Sequence, residues 1–172
     1  MHTIDLEFFP FNEVTLDDAI ARYGVYVLWK PAASRCPSYI GEGKLLGRLG
    51  EHVATHGDNV DGYFAPIDGA PGKSKHDGHV AEAMLIFTAT WVGRPPRHNR
   101  NAGRLERVRS LGHRLGVLRV NVRNRDPFQP PWSTVSQLAK TRTIRVDFRA
   151  LDREEDAWLI QPWHQTRAPA GA

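Results

Sequence analysis

Cysteine is nearly missing from this chain: Cys36 is the single one in 172 residues. That excludes an internal disulfide and any multi-cysteine zinc site, and it predicts a reducing compartment, with the cytoplasm as the expected location. Long apolar runs are missing too. No stretch approaches the roughly 20 residues that span a bilayer, so no membrane is expected among the partners. The first residues carry Asp5, Glu7 and Glu13 and no basic cluster, which predicts that no secretory leader is present. Acidic residues are all but absent from one region. Between Arg94 and Arg125 stand ten arginines, at 94, 97, 100, 104, 107, 109, 114, 119, 123 and 125, against Glu106 alone. That segment carries +9 while the whole chain carries +4, so the remainder is mildly acidic at −5. A concentrated guanidinium tract suits a polyanion, because each planar fork pairs with phosphate and releases condensed counterions. The competing explanation is a solvated basic face.

What is present points to one core. With 41% apolar residues the chain can bury one hydrophobic core but is too short for two full-sized domains. Thr15 is placed to cap a short helix with Asp18 three residues on. Residues 24–30 (GVYVLWK) alternate as a strand, residues 31–38 read as loop, and Tyr39-Ile40-Gly41 resumes a β-prone run that Glu42-Gly43 breaks, which suggests a hairpin. Residues 44–56 turn helical: Leu45, Leu46, Leu49 and Val53 share a stripe, with Arg48, His52 and His56 on a face beside it. A third strand is expected over residues 63–67 and a Gly/Pro/Lys-rich loop over 68–78. A second helix over residues 79–91 is apolar nearly all round and therefore predicted to be buried. Glu82 is the odd residue in it. An ionised carboxylate left without a partner on a buried helix costs several kcal/mol, and a hard cation would offset that cost.

Taken in order, Gly24-Val25-Tyr26, Tyr39-Ile40-Gly41, Arg48 with His52, Glu82 followed by Ala83-Met84-Leu85-Ile86, and Pro96-Arg97-His98-Asn99 resemble the motifs of the GIY-YIG nuclease superfamily from first to last. The resemblance covers residues 24–103. It implies an α/β (α+β) fold with a small, three-stranded, mainly antiparallel sheet flanked by helices. Residues 1–23 would be a lead-in, and residues 104–172 a basic C-terminal α/β extension packed on the core. It also implies a metal-dependent endonuclease that hydrolyses phosphodiester bonds in DNA, with Mg²⁺ or Mn²⁺ as cofactor.

A phosphodiester is shielded by its own charge, so its hydrolysis needs an activated water, neutralisation of the phosphate and help for the departing oxygen. The resemblance makes Tyr26 the group that takes the proton from water, with Tyr39 and His52 completing a hydrogen-bond relay. Arg48 would bind a non-bridging oxygen, Glu82 would hold the metal, and Asn99 would support the site by hydrogen bonding, with Asn101 as its substitute. Because a free phenol has a pKa of about 10, Tyr26 needs nearby positive charge to act as a base near neutrality. Arg94, Arg97, Arg100, Arg104, Arg107 and Arg109 are the expected DNA-binding residues.

Alternatives stay open at this point. Asp156-Ala157-Trp158-Leu159-Ile160 repeats the acid-x-x-Leu-Ile pattern, which makes Asp156 a rival for the metal-binding carboxylate. His52, His56, His76 and His79 could build a zinc site, although no His-Glu-x-x-His sequence is present. The alternative to the enzyme is a non-catalytic nucleic-acid-binding module that keeps the nuclease fold; the presence of every expected catalytic residue type favours the enzyme. Beyond residue 103 the pattern predicts an Arg-rich helix over 105–115, strands over 116–122 and 143–148, and a last helix over 152–160. DNA sequence preference and oligomeric state leave no mark in the sequence.

Overall fold

A computed structural model of the chain describes residues 1–30, 34, 36–56, 61–91, 95–99, 117–123, 142–147 and 158–162. The expected helix over 105–115, Asn101 and Asp156 lie outside them. The architecture is mixed α+β, with two sheets. In chain order the elements are β1 (His2–Glu7), β2 (Phe9–Pro10), a short 3-10 turn (Phe11–Glu13), α1 (Leu16–Ala21), β3 (Tyr23–Trp29) and β4 (Tyr39–Lys44). There follow α2 (Leu45–His56), β5 (Asp61–Pro66), α3 (Pro71–Trp91), β6 (Val117–Arg123), β7 (Arg142–Asp147) and β8 (Trp158–Pro162).

The first sheet has β3 at its centre, antiparallel to β4 on one side and β5 on the other, with the two-residue β2 added beyond β5. The hairpin between β3 and β4 is clamped by Ser38. Its backbone N–H donates to Leu28 O at 2.6 Å, and its hydroxyl accepts from Lys30 N at 2.6 Å and donates to Lys30 O at 2.8 Å. Alternation along β3 feeds two cores. Val25, Val27 and Trp29 join the larger one, with Val80, Met84, Leu85 and Ile86 of α3. Tyr26 and Leu28 point the other way, to a smaller core with Leu45 and Phe64 and the partly buried Leu49. A central strand covered on both faces reads as a continuous apolar run, as Val25 to Trp29 does.

The second sheet has the order β1-β6-β7-β8, with β1 parallel to β6 and the other pairs antiparallel. Its inward side chains, Ile4, Leu6, Leu118, Val120, Val122, Ile144 and Val146, belong to the same core as Val25 and α3. Burying each contributes about 1.5–3 kcal/mol before chain entropy is set against it. Residues 2–7, at the start of the segment read from sequence as a lead-in, are thus one strand of a sheet completed more than a hundred residues later.

Thr15 caps α1 as its sequence suggests: its hydroxyl accepts from Asp18 N at 3.1 Å. Two expectations are corrected. The segment over 68–78 is mostly helix, because α3 begins at Pro71 rather than near His79. Proline at a first turn loses no intrahelical bond. Ser74 N donates to Ala70 O at 2.9 Å, and Lys73 and Asp77, at 2.6 Å, support the next turn. The helix expected over 152–160 is a strand where it is described, since Trp158–Pro162 pairs antiparallel with β7. Among the described residues no helix is long and apolar enough to cross a membrane.

Candidate functional site

The chemistry-bearing side chains gather around β4, which ends the first sheet among the described residues. Strand alternation sorts them. Tyr26 stands opposite Gly41 and Leu28 opposite Tyr39, so Tyr26 and Tyr39 share the face covered by α2. Their rings stack with centroids 5.9 Å apart. Gly41 makes that possible: a Cβ there would lie 2.4 Å from Tyr26 Oη and 2.5 Å from the Tyr39 ring. Arg48, one turn into α2, lies against Gly43, whose φ of +133° few other residues adopt. It pairs with Glu51 at 3.0 Å and is 47% exposed, so its guanidinium is open to an approaching anion.

Burial pushes the Tyr26 phenol far above its ordinary range; the neighbouring Tyr39 and Glu82 add to the rise, and Arg48 opposes it. Tyr39 is raised for the same first reason, with Glu82 next among the causes and Arg48 again opposing. The Glu51 hydrogen bond holds the Arg48 guanidinium more firmly protonated than usual. With no cation bound, both phenols are therefore neutral.

On the opposite face of β4, Glu42 stands across from Val25 and so looks toward α3. There it meets two residues one helical turn apart, His79 and Glu82. One donor atom from each of Glu42, His79 and Glu82 lies within 4.8 Å of the others. Donors bonded to one divalent ion at about 2.1–2.4 Å stand up to ~4.8 Å apart, so this is a separation one ion can bridge. Glu82 is only 7% exposed. His79 Nδ1 is 3.1 Å from Glu42 Oε1, close enough for an ion pair when the imidazole is protonated. The contact is out of line for a hydrogen bond, and both His79 Nδ1 and Glu42 Oε2 are buried with no hydrogen-bond partner among the described residues. Orphaned buried polar atoms are costly, and a cation is one remedy. The residues present fit a divalent metal.

Asn99 closes the free edge of β4. Its carboxamide donates to Ile40 O and accepts from Ile40 N at 3.4 Å, while His98 N donates to Ser38 O at 2.9 Å. The side chain of one asparagine thus occupies both backbone groups of the middle residue in Tyr39-Ile40-Gly41, as a further strand would.

Of the residues picked from sequence, Tyr26, Tyr39 and Arg48 form one group, Glu82 bears on it electrostatically from α3, and Asn99 braces the strand between them. His52 lies within α2, but its side chain, like that of His56, is outside the described residues. His76 is exposed on α3. Arg97 is exposed beside Asn99, whereas Arg94, Arg100, Arg104, Arg107 and Arg109 are outside the described residues. Sequence reasoning missed Glu42 and met His79 only as a member of a histidine set. The i, i+3 spacing of His79 and Glu82 was there to be read, but Glu42 required knowing the side of the sheet on which α3 packs. No protein-family model, curated protein or solved structure matches this chain.

Proposed function

We propose that this chain is a metal-dependent endonuclease of GIY-YIG type, hydrolysing phosphodiester bonds in DNA with Mg²⁺ or Mn²⁺ as cofactor. The observation that carries the reading is a cluster of metal donors, Glu42, His79 and Glu82, on the α3 face of β4, with a stacked tyrosine pair and an exposed arginine on its other face and Glu82 near enough to bear on both phenols. Phosphodiester hydrolysis needs those three kinds of group together. Arg48 supplies a permanent, planar positive charge for a non-bridging phosphate oxygen. Glu82, with Glu42 and His79 near it, holds the cation, which supplies charge neutralisation at the phosphate. To take a proton from water Tyr26 must first give up its own; a cation held at Glu82 would favour that phenolate by offsetting one of the charges that raise the phenol, beside the larger effect of burial, and Tyr39, stacked on it, serves as hydrogen-bond relay together with His52. Asn99 keeps the Tyr39-Ile40-Gly41 backbone in register rather than moving protons. The arginines at 94, 97, 100, 104, 107 and 109 supply affinity for DNA.

The testing experiment incubates purified chain with plasmid and short duplex DNA in Mg²⁺, in Mn²⁺ and in EDTA. Cleavage is expected with the ions and not in EDTA. Glu82→Gln should lose at least about 100-fold in rate while still shifting DNA on a gel. Cleavage that survives EDTA sinks the reading, and a normal Glu82→Gln alongside a dead Asp156→Ala transfers the metal to Asp156. One observation favours the second reading, a non-catalytic DNA-binding module: burial holds Tyr26 protonated far above neutrality, which makes it a poor base. Binding without cleavage under every ion would establish that alternative.

A further inference from the structure

We infer that Glu42, His79 and Glu82 together form a three-donor site that selects a divalent transition cation, Mn²⁺ or Zn²⁺, over Mg²⁺, with the His79 imidazole as the selecting ligand. A single carboxylate on α3 would suit Mg²⁺, which keeps most of its waters and takes oxygen donors. The structure offers more than that. Glu42 arrives from the edge strand and His79 from the turn of α3 preceding Glu82, and the three donor atoms lie within 4.8 Å of one another. Two carboxylates balance a divalent charge, and the imidazole adds a nitrogen donor, a ligand type that suits Mn²⁺ weakly and Zn²⁺ well but Mg²⁺ poorly. Three protein ligands leave further positions for water or a phosphate oxygen, which is the pattern of catalytic rather than structural sites.

Three features argue that the donors were not brought together by accident. His79 Nδ1 and Glu42 Oε2 are buried yet have no hydrogen-bond partner among the described residues, and a cation would supply the partner that both atoms lack. The backbone beneath Glu42 is fixed by its register with Val25. Gly78, the residue before His79, lets the helix come close: a Cβ there would lie 2.7 Å from the Tyr23 ring and 3.5 Å from Glu42 Cβ. Any larger residue at that position would push His79 away from the strand.

The inference deepens the nuclease reading and rests on it only for the use to which the ion is put. The test measures binding directly on the metal-free full chain, without DNA. Mn²⁺, Zn²⁺ and Mg²⁺ are titrated by calorimetry, and bound Mn²⁺ is examined by pulsed electron paramagnetic resonance for coupling to an imidazole nitrogen. Mn²⁺ and Zn²⁺ are expected to bind one per chain and at least about ten-fold more tightly than Mg²⁺. Nitrogen coupling is expected in the wild type and should vanish in His79→Gln, with Glu42→Gln weakening all three ions and the exposed His76→Ala changing nothing. The wild-type nitrogen signal needs no variant, so a misfolded His79→Gln does not blunt the test. Absence of nitrogen coupling, or equal affinity for Mg²⁺ and Mn²⁺, overturns the inference. Cleavage assays separate the two ideas. Mn²⁺ held by His79 with DNA left uncut upholds the site and defeats the nuclease reading, whereas Mg²⁺-supported cleavage unaffected by His79→Gln does the reverse.

Discussion

Among single residues, Tyr26 and Arg48 carry the sharpest distinction between packing and chemistry. Tyr26 is almost wholly buried and stacks on Tyr39, so its ring alone explains much of its place in the core. Tyr26→Phe keeps the ring and removes the hydroxyl. If the hydroxyl takes part in proton movement, turnover should fall by about 100-fold or more while the melting temperature changes little. Arg48→Lys keeps the charge but not the fork, and the same order of loss is expected, because lysine cannot grip two phosphate oxygens in one plane. Single-turnover rates with both variants check this, and near-normal rates return both residues to packing. The raised phenols also give a pH prediction for the metal-free chain. Burial holds Tyr26 and Tyr39 protonated above the ordinary value of about 10, so above that pH the folded state retains protons that the unfolded state releases. Their contribution to stability is complete below about pH 10 and is lost as pH rises through the folded-state values. Urea midpoints measured from about pH 9 to 11 should fall, and Tyr26→Phe should flatten that fall; an identical slope in the variant would remove Tyr26 as the source.

Strands with clean alternation and helices with a continuous stripe were legible in the sequence; segments ruled by tertiary pairing were not. β3 and α2 announce themselves in Val25, Val27 and Trp29 and in Leu45 and Leu49, all of which pack where the pattern puts them. The first turns of α3 were hidden by Pro71, Gly72 and Gly78, residues that punctuate loops but here open a helix or let it approach a neighbour. β1 was hidden because its partner β6 follows more than a hundred residues later, and β8 because an acid-rich lead-in resembles a helix start. The tyrosines, Arg48, Glu82 and Asn99 could be named from short strings, whereas Glu42 became visible only once α3 and β4 were in contact. Two glycines of neighbouring elements make a matched test of these packing arguments. Gly47 in α2 has no atom within 4 Å of where a Cβ would go, so Gly47→Ala should stabilise the fold by about 0.5–1 kcal/mol. Gly41→Ala should instead drive a methyl group into Tyr26 and Tyr39. It should lower stability by about 1–3 kcal/mol and abolish cleavage. Urea titration of both proteins reads the contrast, and a neutral Gly41→Ala would mean the stacked pair has more room than its geometry suggests.

On the scale of the whole molecule, the basic tract and the proposed catalytic residues lie in different parts of the chain. The donors and tyrosines lie between Tyr26 and Glu82, while the +9 carried between Arg94 and Arg125 begins just after α3 ends at Trp91. Arg97, the exposed member described, precedes the Asn99 brace by two residues and its backbone N–H donates to Pro37 O at 3.2 Å, so that arginine of the tract stands beside β4. A substrate strand crossing β4 would meet it. The separation predicts that affinity and turnover can be changed independently. Each arginine that neutralises a phosphate should contribute about −0.9 to the slope of log affinity against log salt. Replacing Arg104, Arg107 and Arg109 by glutamine removes three positive charges without touching Tyr26, Tyr39, Arg48 or Glu82. The salt slope should become shallower by as much as about 2.7 if all three contact phosphate, and the apparent Kd should rise. Turnover at saturating DNA should stay within about two-fold of wild type, because loss of ground-state contacts raises KM without altering the chemical step. Fluorescence-anisotropy titrations across a salt series, paired with single-turnover cleavage, give both readings from one set of proteins. An unchanged slope with normal affinity would make these arginines a solvated face and move the DNA path onto another surface. A collapse in turnover at saturation would instead mean that the tract helps orient the scissile phosphate against Arg48.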